Sequence, residues 1–520
     1  MKKYRKILSL ALAAVLVLMM VAACADGGGG GAGSSGSAAR GDATHLTLMA
    51  VNANFTHRTD PILEAINDYL AEQIGVTIEV KSVDQEAYKI NLAGLDGIDL
   101  IHAFDYLDYY DNARAGAYQE IPMEMIRELM PVFYRENSDK FPAVTVEGKV
   151  FAIPGPRPGL NAPAAILRRD WFPPGMTEIR GLEDLGTYFQ HVLDTQPGVV
   201  PFHQSVGDVM WINGAFAFGA TFLMAPGSPN CTSTVVFDKR ADPNYTLLTN
   251  WAQPQIVYFF EYMREFYQMG AWTADAMNNQ DSLWDSFPDS RSAMMWNLNV
   301  AGINGVWESI QQRSPGAEIY VYDFGKEFGV PIDTESPAAG ALAIPMNGNN
   351  MEASLKLIEL LYTDVFAYRL FAYGVEGEDW WLNDEGEVVR DDVEAGIGFW
   401  GFAQNSDFDL VPDGGYWPGY LAYRATVTPR LFQNPFAAFT INNDPVSEIA
   451  GALWSVHEMY AVPIYLGMVD DVEEAIAELL RQYDLAGYDA YYNEMFNQLT
   501  TFLETTFPGG QFTLAREPGR

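Results

Sequence analysis

The sequence predicts an α/β protein divided into two or more lobes. Strands are indicated at 45–51, 76–83 and 98–104 by runs of apolar and β-branched residues, and an amphipathic helix over 60–75 separates the first two. This strand–helix–strand order predicts parallel pairing with right-handed crossovers. About 477 residues follow residue 43, and a chain of that length is too long to fold around one hydrophobic core.

The helices are indicated by apolar stripes and by the residues that start and stop them. In the helix over 60–75, Asp60 can cap the first turn, and Pro61 suits the position after it. A longer helix is predicted over 349–374, where Gly374 provides the stop signal. Two more amphipathic helices and a disordered tail are predicted to complete the chain, over 470–487, 488–507 and 508–520.

The N-terminus has the pattern of a secretory signal followed by a tether. Residues 1–6 are rich in Lys and Arg, and residues 7–20 are apolar apart from one serine. This run of 14 residues is short for a membrane span, which needs about 20. The Gly- and Ser-rich segment 24–43 predicts a flexible tether, and residues 1–23 are predicted to be the signal peptide.

The small residues Ala22 and Ala23 followed by Cys24 resemble the lipobox of bacterial lipoproteins. That resemblance implies that Cys24 receives a diacylglyceryl group and becomes the first residue of the mature chain. Two acyl chains hold a protein stably on a membrane. We therefore predict a protein anchored by lipid to the outer face of a bacterial cytoplasmic membrane.

The composition makes some classes of partner improbable. The chain has 31 basic and 68 acidic residues and a formal net charge of −37, which repels nucleic acid. Its two cysteines, Cys24 and Cys231, form no disulfide framework once Cys24 is lipidated, and one thiol cannot build a cysteine metal site. We predict neither a metal nor a cofactor.

Three segments of the chain carry motifs of one known protein family. In 148–172, a strand ends in an aromatic-x-Ile-Pro stretch at 151–154, and the next strand closes in Arg-Arg-Asp-Trp at 168–171. In 291–303 a strand carries a variable aromatic residue, and in 369–389 a Tyr-Gly-x-Glu-Gly-x-x-Trp stretch lies at 373–380. In this order the segments resemble the extracellular solute-binding lipoproteins of ABC importers, in the carbohydrate-binding branch.

The resemblance implies a hinged, two-lobe fold of the periplasmic-binding-protein type (type II) with a central ligand cleft. The implied lobe 1 comprises residues 44–153 and about 333–395. The implied lobe 2 comprises residues about 154–332 and about 396–507.

Sugar rings present an apolar face and many hydroxyl edges, so aromatic rings bind them together with carboxylates and amides. Open α/β sheets bind ligands beyond the carboxyl ends of their strands. We therefore predict binding residues directly after strands and at the first crossing between the implied lobes, near residues 154–156. They are Asn52, Asn54, Asp105, Tyr106, Arg157, Trp211, Asn213, Trp296, Asn297, Trp380, Trp381 and Trp417. Each ring can instead belong to a core, and the two asparagines and Asp105 can instead cap helices.

The resemblance implies a monomeric binding protein that delivers a carbohydrate, in our prediction an oligosaccharide, to the transmembrane subunits of an ABC permease. Two alternatives stay open, an extracytoplasmic carbohydrate-active enzyme and a ligand-binding adaptor for a membrane sensor. A glycosidase needs two carboxylates across the scissile bond, and among 68 acidic residues such a pair is unavoidable. The acids therefore do not decide between an enzyme and a binding protein, and a peptide or another polar solute is not excluded as the ligand.

Overall fold

The computed structural model describes residues 41, 43–51, 53, 55–84, 88, 92, 96–156, 160–203, 222–224, 235–238, 244–279, 281–324, 326, 332–334, 336–390, 402, 405–411, 415–432, 435–436, 439 and 441–517. The strands are β1 (Thr44–Val51), β2 (Val76–Val83), β3 (Leu100–His102), β4 (Thr145–Val146), β5 (Lys149–Val150), β6 (Ala152–Ile153), β7 (Leu160–Arg168), β8 (Phe222–Met224), β9 (Val235–Asp238), β10 (Asn244–Thr249), β11 (Met294–Asn299), β12 (Ile319–Asp323), β13 (Ile332–Thr334), β14 (Leu342–Ala343), β15 (Trp380–Leu382), β16 (Val388–Arg390), β17 (Leu431–Phe432) and β18 (Thr513–Arg516).

The α-helices are α1 (Thr59–Ile74), α2 (Tyr109–Arg114), α3 (Met123–Leu129), α4 (Pro131–Asn137), α5 (Leu182–Thr195), α6 (Pro254–Met269), α7 (Leu283–Ser286), α8 (Gly302–Arg313), α9 (Met351–Thr363), α10 (Val365–Tyr373), α11 (Tyr420–Val427), α12 (Ser447–Val456), α13 (Val462–Tyr465), α14 (Val472–Leu485) and α15 (Tyr488–Thr506). Within the described part of the chain, no helix is both long and apolar enough to span a membrane.

The first sheet confirms the predicted parallel pairing. Its strand order is β2-β1-β3-β14-β6, and β1 runs parallel to both β2 and β3. Thr44 lies opposite Val76 and Val51 lies opposite Val83, so β1 and β2 pair over their whole length. β14 is antiparallel to β3 and to β6. Helix α1 covers this sheet with an apolar stripe that includes Ile62, Ile66 and Leu70.

The start of α1 differs from the prediction, because Asp60 does not cap it. Arg58 is the N-cap residue, without a side-chain cap, and Asp60 lies inside the first turn. The Thr59 hydroxyl accepts a hydrogen bond from the Thr56 N–H at 2.9 Å, and the Thr56 hydroxyl accepts one from the Arg58 N–H at 3.1 Å. Two threonine side chains therefore organise the entry to the helix, and the Asp60 carboxylate lies near the positive end of its dipole.

The helix predicted over 349–374 is two helices, α9 and α10. The chain is extended at Asp364, whose carboxylate accepts hydrogen bonds from the N–H groups of Phe366 and Ala367 at 2.8 and 2.9 Å. A helix interior offers no free N–H to an aspartate, whereas a new N-terminus does. Asp364 therefore starts a second helix, which ends at Gly374 as predicted.

The C-terminal helices are confirmed as α14 and α15, but the prediction of a disordered tail is wrong for the residues up to Glu517. β18 pairs in parallel with β10. The Glu517 carboxylate accepts hydrogen bonds from the Thr249 N–H at 3.1 Å, the Thr249 hydroxyl at 2.6 Å and the Gln253 amide at 3.1 Å. The order of this segment comes from its partner strand, which local sequence patterns do not reveal.

The second half of the fold is organised around β7. Its sheet has the order β11-β7-β13-β17, and β12 also pairs with β7. β7 is antiparallel to β11, β12 and β13. A further sheet has the order β18-β10-β9-β8. Helices α5, α6, α8 and α11–α15 contribute buried side chains to the same hydrophobic cluster as β7 and β11.

Buried apolar side chains form two large clusters and a small one. The first core combines the first sheet with α1, α9, α10 and Phe402, and the second core contains β7, β11, β12 and the C-terminal helices. The small cluster joins α10 to the β15–β16 hairpin, with Phe408 and Leu410 packed against it. Phe402 therefore packs in the first core, and Phe408 and Leu410 pack against the cluster of α10 and the hairpin.

A buried histidine lies in each large core region. His102 Nδ1 accepts the Val51 N–H at 3.3 Å, and its ring lies 4.6 Å from that of Phe104. His457 begins a π-helical turn, and its Nδ1 lies 2.9 Å from the Tyr483 hydroxyl. Burial lowers the pKa of each imidazole to about 3, so both rings are neutral near pH 7.

Candidate ligand-binding site between the two sheets

The chain passes between the two sheets from β6 to β7 and from β13 to β14, and these two crossings place the strand ends of one sheet opposite those of the other. β3 and β6 are both antiparallel to β14, so the chain leaves β6 at Ile153 and returns at Leu342 on the edge where β1 and β3 end. On the second sheet, β7 starts on the side where β11, β12 and β13 end. The Gly155 N–H donates a hydrogen bond to the Pro337 carbonyl at 2.8 Å, which joins the two crossings. Ligands bind beyond such carboxyl ends in open α/β sheets.

On the first sheet, the segments after β1 and β3 form this edge. Phe55 follows β1 and is 46 % exposed, and the Ser82 hydroxyl donates to the nearby Ala53 carbonyl at 2.8 Å. Asp105 is half-buried and begins a single helical turn after β3. The edge therefore combines an exposed ring with a carboxylate, which suits a ligand that has both apolar faces and hydroxyl groups.

On the second sheet, Trp296 and a buried ion pair lie near the edge. Trp296 is half-buried on β11, opposite Ala165 of β7. The last residue of β12, Asp323, is buried and pairs with Arg430. Burial raises the pKa of the neighbouring Tyr423 well above its ordinary value, and the Asp323 charge adds to the effect, so the phenol stays protonated.

Helix α8 connects these parts. Asn304 and Glu308 lie one turn apart on α8, which follows β11 and its Trp296. Asn304 Oδ1 accepts the Trp417 N–H at 3.2 Å, and Glu308 Oε1 accepts from Arg390 Nη2 at 2.8 Å. Because Arg390 ends the β15–β16 hairpin, one helix face holds both the hairpin and the Trp417 segment beside the second sheet.

The Tyr-Gly-x-Glu-Gly-x-x-Trp stretch forms a tight loop in which Gly374 is required. Gly374 has φ 86° and ψ −154°, and a Cβ atom there would lie 2.7 Å from Asp379 Oδ2. The Trp380 indole N–H donates to the Gly374 carbonyl at 3.0 Å, and its ring is 3 % exposed in the small cluster. The next residue, Trp381, is 38 % exposed. The motif therefore buries one of the two tryptophans and presents the other.

The predicted site residues are only partly covered by the structure. Asp105, Trp296, Trp381 and Trp417 have exposed or half-buried side chains near the strand ends or the hairpin, whereas Trp380 has a core position. For Tyr106 and Asn297 the structure describes the backbone alone, after β3 and on β11. The other predicted residues lie outside the described residues: Asn52, Asn54, Arg157, Trp211, Asn213 and the lipidation candidate Cys24.

The Arg-Arg-Asp-Trp stretch lies at the far end of β7 from the crossings and holds the second half of the fold together. Arg168 is buried, and its guanidinium makes two hydrogen bonds to the Asp170 carboxylate at 2.9 and 2.7 Å. It also lies 4.0 Å from the centre of the Trp171 ring. This motif is therefore structural, and it does not belong to the candidate site.

Three residues at the edge were not among the predicted ones, namely Phe55, Asp323 and Arg430. Phe55 lies in the same post-strand stretch as Asn52 and Asn54, so the rule that predicted those asparagines also covers it. The pairing of Asp323 with Arg430 joins residues 107 positions apart, and no local pattern reveals it.

Comparisons with known proteins identify the class of fold. A family model described as a domain of unknown function, DUF3502, matches residues 435–504. A protein of Streptococcus pneumoniae described as a carbohydrate ABC transporter substrate-binding protein is 21 % identical over 471 residues, covering 86 % of this chain and 88 % of that protein. The chain is a distant homologue of such substrate-binding proteins.

Solved structures share this fold. The N-glycan transport solute-binding protein NgtS of S. pneumoniae, in complex with Man1GlcNAc, has a TM-score of 0.71 at 18 % identity and covers 89 % of this chain and 100 % of its own. The S. pneumoniae protein FusA in complex with kestose has a TM-score of 0.56 at 11 % identity, covering 89 % of this chain and 99 % of its own. The predicted α/β solute-binding fold is confirmed, and the relatives are binding proteins, in line with the prediction of a non-enzymatic chain.

Proposed function

We propose that this chain is the lipid-anchored, extracytoplasmic substrate-binding protein of a carbohydrate ABC importer. The observation that carries the proposal is the alignment, across most of both chains, with a carbohydrate ABC transporter substrate-binding protein. We infer that the ligand is an oligosaccharide, because NgtS was solved with Man1GlcNAc and with Man5GlcNAc, and FusA with kestose.

The proposed mechanism is closure of two lobes around the sugar. The ligand contacts the carboxyl edge of the first sheet and the opposing ends of β11 and β12, with Trp296 and Trp381 as ring surfaces. Closure requires that the sugar binds the closed form better than the open form. The crossings joined by Gly155 and Pro337 act as the hinge, and the closed form docks on the permease.

A thermal-shift screen with the mature chain tests the ligand class. The panel contains Man1GlcNAc, Man5GlcNAc, kestose, a chitin oligosaccharide, mannose and a tetrapeptide. A ligand at 100 times its Kd stabilises the folded state by about 2.7 kcal/mol, so a binding oligosaccharide raises Tm in a concentration-dependent way. Stabilisation by the peptide alone, or by no member of the panel, would contradict an oligosaccharide ligand.

Two further measurements separate the proposal from its alternatives. Chromatography of the bound oligosaccharide after long incubation distinguishes a binding protein from an enzyme, because an enzyme would release shortened products. Reconstitution with the permease subunits of a carbohydrate ABC importer from the same organism distinguishes import from sensing. Uptake of the labelled sugar that depends on this chain supports the importer role, and binding without uptake supports the sensor adaptor.

The lipid anchor is tested separately at Cys24. Cys24→Ala is expected to move the chain from the membrane fraction to the medium or periplasm, or to leave the signal uncleaved, because the thiol is the atom that carries the lipid. Mass spectrometry of the wild-type N-terminus should show a diacylated Cys24. An unmodified N-terminus elsewhere would refute the anchor and leave the binding function untouched.

A further inference from the structure

We propose that Phe55 is a ring platform for the ligand and that Arg58 is the positioning residue that holds it in place. This inference rests on the proposed function, because it deepens the description of the same site. It concerns the loop that joins β1 to α1, in which the sequence predicts Asn52 and Asn54 as ligand-binding residues.

The exposure of Phe55 sets it apart from the strand that precedes it. The last six residues of β1 are buried, whereas Phe55 is 46 % exposed only a few residues later. It lies at the carboxyl edge of the first sheet, where the chain leaves this sheet after β6 and re-enters it at β14. A phenyl ring at this position offers the flat apolar surface that the C–H face of a sugar requires.

The loop around Phe55 is tied down by short-range hydrogen bonds. Its next residue, Thr56, donates its N–H to the Thr59 hydroxyl at 2.9 Å and accepts the Thr59 N–H at its carbonyl at 3.1 Å. On the other side, the Ala53 carbonyl accepts the Ser82 hydroxyl at 2.8 Å. These bonds hold the backbone at Ala53 and Thr56, so the position from which the Phe55 ring projects is set before the ligand arrives.

Arg58 anchors this loop to a distant part of the chain. Its Nε donates to Asp379 Oδ1 at 2.6 Å and its Nη2 donates to Glu378 Oε2 at 2.9 Å, across more than 300 residues of sequence. The Asp379 side chain is 1 % exposed, and its other oxygen accepts the Val375 N–H at 2.7 Å. The Asp379 carboxylate is therefore held in place by the motif loop. Because the Arg58 guanidinium bonds to this carboxylate and to that of Glu378, it restrains the loop that carries Phe55.

A second exposed phenylalanine provides a matched control. Phe366 is 51 % exposed and lies 4.7 Å from the ring of Tyr69 on α1. Tyr69 lies ten residues beyond Thr59, about 15 Å along the helix from the loop that carries Phe55. Phe366, which is on α10, therefore has a similar exposure but lies beside the other end of α1, away from the candidate site.

The test of Phe55 uses calorimetry of the full mature chain with Man5GlcNAc, Man1GlcNAc, kestose and a chitin oligosaccharide, each variant being measured on the glycan that the wild type binds. Phe55→Ala and Phe55→Leu are expected to weaken binding about tenfold or more, since leucine keeps apolar volume but has no flat face. Phe55→Tyr and Phe366→Ala are expected to stay within about threefold of wild type. Wild-type affinity in Phe55→Leu overturns the platform.

The positioning role of Arg58 is tested by a double-mutant cycle with Phe55→Ala. Arg58→Ala should weaken binding in the wild-type background and have an effect of less than about twofold when the ring is already absent. An equal loss in both backgrounds overturns the positioning role. Arg58→Lys is measured in parallel because it keeps a positive charge beside buried Asp379 if Arg58→Ala does not fold. If the wild type binds no glycan of the set, the proposed function fails and this inference with it; if the wild type binds and the Phe55 variants are unaffected, this inference alone fails.

Discussion

Acidification should destabilise this protein through two histidines that its cores keep neutral. His102 and His457 have pKa values lowered to about 3 in the folded chain, whereas an unfolded histidine has a pKa near 6.5. Above pH 6.5 both states hold the neutral ring, so these groups add no pH dependence. Below it the unfolded state takes up protons that the folded state does not, until the pH approaches 3. Well below pH 6.5 the free energy of unfolding therefore falls by about 1.4 kcal/mol per pH unit for each histidine, and near pH 6.5 the slope is about half of that.

The two histidines together predict a loss of about 3 kcal/mol between pH 6.5 and pH 5. Urea unfolding of the mature chain, followed by tryptophan fluorescence at several pH values, measures this slope. His102→Gln and His457→Gln should each remove about half of the contribution, whatever their effect on absolute stability. His57→Gln is the control, because His57 is exposed. Slopes in both buried-site variants equal to that of the wild type would refute the reasoning.

Three further predictions follow from single sites. Gly374→Ala should lower the free energy of unfolding in urea by about 1–3 kcal/mol, because Gly374 has a backbone conformation that other residues rarely adopt. Gly305→Ala on α8 is the control and should be neutral or stabilising, because the space around Gly305 is open. Equal free energies of unfolding for the two variants would contradict this. Glu517→Ala should cost about 1.5–3 kcal/mol and speed amide exchange in β18, and unchanged protection would show that the strand holds without that carboxylate. Trp296→Ala and Trp211→Ala should each weaken carbohydrate binding by about 1–3 kcal/mol in calorimetry, and unchanged affinity removes the residue from the site.

Elements with strong local signals could be predicted, and elements stabilised by distant partners could not. β1, β2 and the two C-terminal helices match their predicted positions because their periodicity is continuous. β18 escaped prediction because its stability depends on β10 and on Glu517, which binds Thr249 and Gln253. The break at Asp364 was missed because an aspartate inside an apolar helical pattern fits a continuous exposed face equally well.

In the candidate site, too, the sequence indicates some features, and others depend on the tertiary structure. The rule that ligands lie beyond strand ends selects the stretches that follow β1 and β3, including the one that contains Phe55. It does not separate adjacent tryptophans, since Trp380 is buried and Trp381 is exposed. Side chains alternate between the faces of a strand, so the register of the hairpin and the cluster beneath it select which ring faces out.

By itself, the sequence determined the α/β class, the parallel start of the first sheet and a resemblance to solute-binding lipoproteins, because periodicity and ordered motifs are properties of neighbouring residues. Only the tertiary structure decided that Arg58 meets Asp379, that Asp323 meets Arg430 and that the C-terminal strand is ordered. These contacts join segments that are far apart in the chain, and their free energy depends on burial and geometry that arise only when the cores have assembled.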